Sequence, residues 1–382
     1  MEFNQSLFVL QKELNQGNLQ ACLEIMDPLF EVAEQEARED EKYENHTFEE
    51  PVQEFIYSIK KGIQKPIQNV PNNYGRFFKM AAIVEYQLGN VSVAKANLKE
   101  SLWWNPCDLE TRLLEAELYK TDLKMYKEKN LELLEYAYKR EFIAQIYMNL
   151  SSCFEEETVK AYCLYYAHYF DSSLPGLEEA VKEIACKTGI QQYPDEKELS
   201  ALFSKYQIPK APDQELMSIL FNMGLNFESR KNYPVALYGF KLLYELNLDD
   251  MVLKKIQELK KAYGETLYPA CREFFENPVH EKYVQVIQIL ACLDVLVPVK
   301  KDNPREFVIL RGEKDEIAIP VFYEIAQTHQ QFGEDVLLER MDIKDLASVV
   351  LREENLAALV YNPFSEYNIP LRKDVLNYII RV

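Results

Sequence analysis

The chain is short of glycine, histidine, paired cysteines and long apolar runs, and each shortage removes a class of explanation. Eleven glycines in 382 residues, no two closer than 13 positions, cannot form the clustered loop through which backbone N–H groups approach a phosphate. The common nucleotide-binding loops are thereby excluded, and no cofactor is expected. The four histidines (His46, His168, His280, His329) include no HExxH pair, and no two cysteines stand at zinc-finger spacing. No metal site is therefore expected, and each histidine reads as a surface or packing residue. Seven cysteines, the closest two ten positions apart, are the odd and irregular usage of a reducing compartment and not a disulfide framework. No stretch reaches the roughly 18 apolar residues of a membrane span; the segment from Val286 to Val299 is broken by Gln288 and Asp294. The first residues, MEFNQSLFVLQKELNQ, lack the basic start of a signal peptide, so the expected location is cytoplasmic. Positive charge is also scarce: 43 Lys and Arg against 62 Asp and Glu give a net charge of −19. With no basic patch to override that field, neither nucleic acid nor an anionic membrane is an expected partner.

What is present is ordinary globular material, 48% hydrophobic and 27% charged, with 25 Tyr and 20 Phe. The length predicts two domains, and the scarcity of glycine leans the chain toward helix. The acidic cluster between Glu31 and Glu50, including Glu36, Glu39, Asp40, Glu41 and Glu44, reads as a solvated helix end and loop.

Two segments share a spacing. In one, Phe78, Ala81, Ala82 and Glu85 fall on a first helix, Gly89 and Asn90 break it, Ala94 and Leu98 fall on a second, and Pro106 closes the unit. In the other, Leu220, Met223, Gly224 and Phe227 precede a turn at Lys231 and Asn232, followed by Ala236 and Phe240. The large residue and the later alanine are 16 positions apart in both, and the next large residue follows four on. Small residues at such positions let antiparallel helices cross closely, with large ones filling the flanks. The pattern resembles the tetratricopeptide repeat. Weaker hairpins run from Leu109 to Tyr138 and from Ile143 to His168, and Gln5–Asn15 with Leu19–Ala37 reads as a further, capping hairpin. Aromatic residues such as Tyr162, Tyr165, Tyr166, Tyr169 and Phe170 read as repeat core. A short helix is predicted between Pro51 and Pro71, and another from Glu196 to Tyr206 within an interruption flanked by Pro194 and Pro209.

The resemblance implies a groove lined by the first helix of each repeat. Its matching positions here are Arg76, Lys79, Met80, Ile83 and Tyr86 in one repeat, and Phe221, Asn222, Leu225 and Glu228 in the other. Arg76, Lys79 and Asn222 resemble the basic and amide set with which some relatives hold a peptide carboxylate.

After about Thr266 the texture changes. Helices are predicted at Tyr268–Phe275 and His280–Cys292. Three β-rich runs follow, Val295–Val299, Glu306–Arg311 and Glu316–Phe322, read as an antiparallel meander. Then come a helix from Tyr323 to Gln331, a strand from Val336 to Met341, a helix from Ile343 to Glu353, a strand from Leu356 to Tyr361 and a helix from Leu371 to Ile380. The phrases Val295-Leu-Val-Pro-Val299, Leu359-Val-Tyr-Asn-Pro-Phe364 and Ile369-Pro-Leu-Arg-Lys-Asp-Val-Leu376 resemble the N-terminal domain of the SseB-type (enhanced serine sensitivity) proteins, which implies a bacterial protein with no established catalytic role.

The expected architecture is multidomain: an all-α, tetratricopeptide-like helical-repeat solenoid over residues 1–266, followed by a small α/β (α+β) domain with a mixed, mainly antiparallel sheet over 267–382. No catalytic set stands out; Cys163 and His168, five apart on one helix, are poorly placed to act together. The leading expectation is a non-enzymatic interaction scaffold that binds peptide or protein segments. A peptide-sensing regulator would need a basic helix-turn-helix where residues 1–60 are acidic. A hydrolase in the C-terminal domain would need a pocket of convergent polar groups.

Overall fold

The computed structural model describes residues 2–36, 38, 41–312, 316–325, 332 and 336–381. The chain forms two compact units, Met1–Met223 with Leu242–Leu248, and Gly224–Lys241 with Asp249–Val382. The division at 266 drawn from composition falls within the second unit, between two of its helices.

The first unit is helical. Its elements are α1 (Phe3–Asn15), α2 (Leu19–Gln35), β1 (Glu44–His46), α3 (Pro51–Lys61), β2 (Ile67–Asn69), α4 (Tyr74–Gln87), α5 (Val91–Trp104), α6 (Leu109–Glu117), α7 (Leu123–Leu133), α8 (Arg140–Ser151), α9 (Glu157–Phe170), α10 (Leu177–Thr188) and α11 (Glu196–Tyr206). Two further helices, α12 (Gln214–Ser229) and α13 (Tyr233–Asn247), contribute residues to both units.

Local chemistry sets the helix ends. Asn73, Asp108, Asp122 and Asp195 each accept a backbone N–H of the first turn they precede. Pro51 opens α3 behind a Glu50–Gln53 capping box, and Gly62 ends it in the left-handed region at φ 64°. Helices pack on their sequence neighbours, α1 on α2, α4 on α5, α6 on α7 and α8 on α9. Further contacts join α2 to α4, α5 to α6 and α7 to α8.

Close approach in this stack depends on small residues. A methyl group at Gly75 would sit 2.8 Å from the Thr47 hydroxyl, while the Gly75 carbonyl accepts from Ser101 at 2.8 Å. Ala81 and Ala94 are fully buried. Tyr166 meets Tyr147, Phe170 and Phe203 edge-on, so the aromatic run of α9 does fill the interior, with Tyr169 left exposed. One feature was not anticipated: β1 and β2 pair in parallel, Glu44 opposite Ile67.

The second unit contains α14 (Asp250–Gly264), α15 (Leu267–Glu276), α16 (His280–Leu290), β3 (Asp294–Lys300), β4 (Asn303–Phe307), β5 (Leu310–Arg311), β6 (Ile317–Val321), β7 (Val336–Asp342), α17 (Ile343–Arg352), β8 (Leu356–Tyr361), β9 (Ile369–Arg372) and α18 (Lys373–Arg381). Its strands form a three-stranded antiparallel sheet, β4-β3-β7, and a four-stranded sheet, β5-β6-β8-β9, in which β6 and β8 run parallel. The three runs do pair antiparallel in succession, β3 with β4 and β5 with β6, but the second run is split between the two sheets, so the expected single sheet is corrected to two.

The reason lies at Pro298. It accepts from the Val308 N–H at 2.9 Å but has no N–H to return, so pairing of β3 with the second run stops there. Leu296 instead exchanges both backbone bonds with Phe322, and the rest of that run, β5, turns to β6. The terminal helix begins at Lys373, because Ile369–Arg372 is a strand with Ile369 and Leu371 inward and Pro370 and Arg372 outward. Most of the helix expected over Tyr323–Gln331 lies outside the described residues. Val295, Val297, Ile319, Val321, Leu359 and Leu371 from the strands join Val286, Leu290, Leu346 and Ile379 from the helices in one core.

Candidate functional site

The nine groove positions do not share one environment. On α4, Arg76 is exposed one turn after the Asn73 cap, and Tyr86 is 53% exposed at the far end. Between them Met80 is only 1% exposed, packed in the core formed with α1 and α2, and Ile83 lies half-buried against that core. Lys79 is 9% exposed. Its ammonium donates to Asp108 at 3.0 Å and to Glu110 at 2.7 Å. Burial alone would lower its pKa, but the two carboxylates outweigh that and raise it, so Lys79 is an internal cation committed to α6. A carboxylate clamp from Arg76 and Lys79 is therefore not what the fold presents.

On α12, Phe221 and Asn222 are exposed residues of the first unit. Leu225, also exposed, and Glu228, half-buried and bound to Lys255 at 2.7 Å, belong to the second.

A groove does exist elsewhere on the first unit. About 700 Å³ of open space runs along α1 and α2, floored by Phe3, Ile25, Pro28, Leu29 and Val32, with Asn4 and Glu24 at its edge. Asn4 fixes the start of α1: its amide donates to the Pro71 carbonyl at 2.8 Å and its side-chain oxygen accepts from the Asn73 N–H at 3.1 Å. Pro28, inside α2, has no N–H to pair, and it lines this groove.

No protein-family model and no curated protein matches the chain. Beside these surfaces the chain carries two clusters of ionisable groups.

In the first cluster, Glu44 of β1 accepts from Tyr57 at 2.6 Å and from Lys61 at 2.7 Å, and faces His46 Nε2 at 3.1 Å. Burial pushes the Glu44 carboxyl up, but hydrogen bonds from Lys61, Tyr57 and His46 prevail and bring it down to about 2. Burial and the Glu44 bond push the Tyr57 phenol up to about 12. Both His46 nitrogens face oxygens, Nδ1 the Trp104 carbonyl at 3.2 Å and Nε2 the Glu44 carboxylate, yet burial holds its pKa below the usual value. The ring stacks on Phe48 and Trp103. A phenol that donates to a carboxylate and is held protonated is no base, so these four groups anchor β1 to α3. His46 is a packing residue, as its sequence context suggested; His168 and His280 are exposed, and His329 lies outside the described residues.

In the second cluster, Asp294 and Asp342 stand opposite each other on β3 and β7. Like charges in that position repel. Lys260 of α14 lies between them, 2.5 Å from Asp294 and 3.2 Å from Asp342. Burial would lower the Lys260 pKa, but the two carboxylates raise it. A cavity of about 540 Å³ opens beside it, lined by Lys261, Tyr323, Glu324 and Arg340. An amine held as an ammonium between two carboxylates offers neither a nucleophile nor a base.

Among the described residues no three His, Cys, Asp or Glu side chains are grouped to hold a metal, and no helix is long and apolar enough to cross a membrane.

Proposed function

We propose that the first unit is an interaction scaffold: its paired helices form a tetratricopeptide-like array, and an apolar segment of a protein partner lies in the groove along α1 and α2. The observation that carries this reading is the groove itself. An open trough of about 700 Å³ with an apolar floor and a polar edge suits an extended or helical segment better than a compact metabolite. The stacking of each helix on its sequence neighbours, with small residues at the crossings, supports the repeat comparison. In the second unit, the turn at Asn362 and Pro363 supports the SseB-type comparison. Asn362 is buried in the left-handed region at φ 50°, and its N–H donates to the Val321 carbonyl at 2.9 Å.

Panning a random peptide library on the full chain tests the scaffold. Wild type is expected to enrich an apolar motif, and Val32→Glu, which puts a charge on the groove floor at an exposed position, is expected to lose it. Enrichment of the same motif by both proteins would remove the groove from the account.

A further inference from the structure

The second unit holds an amine whose natural partner is already taken. Lys344 is the second residue of α17, and the Ile343 N–H before it donates to the Leu293 carbonyl at 3.3 Å. That bond sets the first turn of α17 beside Cys292 and the start of β3. Asp342, which caps the helix, accepts the Lys344 backbone N–H at 2.9 Å through Oδ1. Its Oδ2 stands 3.2 Å from the Lys260 ammonium and 3.5 Å from that of Lys241. Asp294 in turn is held by Lys260. Three ammoniums thus share two carboxylates, and Lys344 is the one left over: its side chain makes no hydrogen bond and no ion pair among the described residues.

The surroundings of Lys344 disfavour a cation. It is half-buried in the first turn of a helix, where the aligned peptide dipoles present their positive end. Burial and then Lys241 lower its pKa, and Lys260 adds to them against Cys292 and Asp342. Cys292 is itself kept a neutral thiol by burial, so it supplies little counter-charge. Lys79 and Lys260, also buried, move the other way because carboxylates face them directly.

We propose that the Lys344 amine is a site of acylation by an acyl phosphate. The nitrogen lone pair attacks the acyl carbon and the bond from that carbon to the phosphate oxygen breaks. Inorganic phosphate leaves, the nitrogen gives its proton to water, and an amide replaces the mixed anhydride. A lysine beside a second cation is the arrangement that frees an amine to attack. Lys241 is that cation. Its contact with Asp342 is the longest in the cluster and its side chain is one-third exposed, so it can turn toward the phosphate of the donor. Lys260, held between both carboxylates, cannot. Acylation removes one positive charge. What remains is two ammoniums for two carboxylates, so the modified cluster loses no ion pair. The inference concerns the second unit and is independent of the groove on α1 and α2.

Incubating the full chain with acetyl phosphate across a range of pH, and mapping the acetylated peptides by mass spectrometry, tests it. Lys182 and Lys187 serve as internal references, exposed lysines each paired with a glutamate one turn earlier. At about pH 8 Lys344 is expected to react at least about threefold faster than either, because rate follows the unprotonated fraction. The midpoint of its rate against pH is expected below the ordinary 10.5. Lys241→Gln is expected to slow Lys344 about threefold or more with acetyl phosphate, and less with neutral N-acetylimidazole, which offers Lys241 no phosphate; Lys182 and Lys187 keep their rates. Lys344 reacting no faster than the references, a midpoint at or above 10.5, an unchanged rate in Lys241→Gln, or equal slowing with both reagents would each overturn the assignment. The wild-type rates and midpoint decide the matter if Lys241→Gln fails to fold.

Discussion

The ring of Phe240 on α13 lies over the bare α-carbon of Gly224 on α12, so closely that a methyl group there would sit 2.5 Å from Cε2 and 2.6 Å from Cζ. Phe240 is fully buried, and its ring has nowhere to retreat. Gly224→Ala gains helix propensity of about 1 kcal/mol but forces overpacking of about 1–3 kcal/mol. The expected net result is a destabilisation of up to about 2 kcal/mol in urea unfolding, partly relieved when Phe240→Leu is added. A stabilised Gly224→Ala would show that the two helices do not close in this way.

Lys79 supplies a second prediction. Lys79→Met leaves Asp108 buried, held by the Thr111 hydroxyl at 2.6 Å but without its cation, and is expected to cost about 3–5 kcal/mol. Adding Asp108→Asn should recover part of that loss. Because the folded pKa of Lys79 is raised, its stabilisation is complete below the ordinary 10.5 and is lost as pH climbs through the folded value. Unfolding free energies compared across alkaline pH should therefore fall for wild type and change less for the double variant.

Acid acts on the β1 cluster in the opposite sense. The Glu44 carboxyl is lowered from 4.5 to about 2, so the stability it contributes is present above 4.5 and disappears as pH falls toward 2. His46, also lowered, adds a loss that begins as pH drops below 6.5, where the unfolded chain takes up a proton that the buried ring resists. Melting temperatures of wild type should decline on acidification more steeply than those of Glu44→Gln. Parallel curves would mean that the carboxylate is not held as described.

Thiol chemistry provides a check on burial throughout the chain. Cys186 is exposed and Cys153 partly so, whereas Cys22, Cys107, Cys163, Cys271 and Cys292 are buried, with burial pushing the Cys107 and Cys271 thiols up to about 12. A disulfide reagent should consume one thiol rapidly in the native protein, and Cys186→Ser should remove that phase. Rapid reaction of several thiols would show a looser interior.

Much of the helical layout could be read from punctuation. Gly17, Gly89 and the Pro194–Pro209 interval mark breaks that the structure keeps, and α11 occupies Glu196–Tyr206 as expected. The strands β3, β7 and β8 announced themselves through runs of Val and Leu. Other features were illegible for physical reasons. β1 and β2 are three polar-rich residues each, too short for alternation to register. Lys79 shares a face with Arg76 by helical spacing, and only partners 29 and 31 residues away bury it. The groove on α1 and α2 is built from residues that read as ordinary amphipathic core, Leu29 and Val32 among them, and only the packing reveals which of them is left open.

The most direct test of the scaffold is hydrogen–deuterium exchange of the full chain with and without a peptide selected by panning. The account predicts added protection in α1, α2 and the Pro71–Asn73 turn, where the groove lies, and its loss in Val32→Glu. Protection confined to the second unit, or none despite saturating peptide, would contradict it.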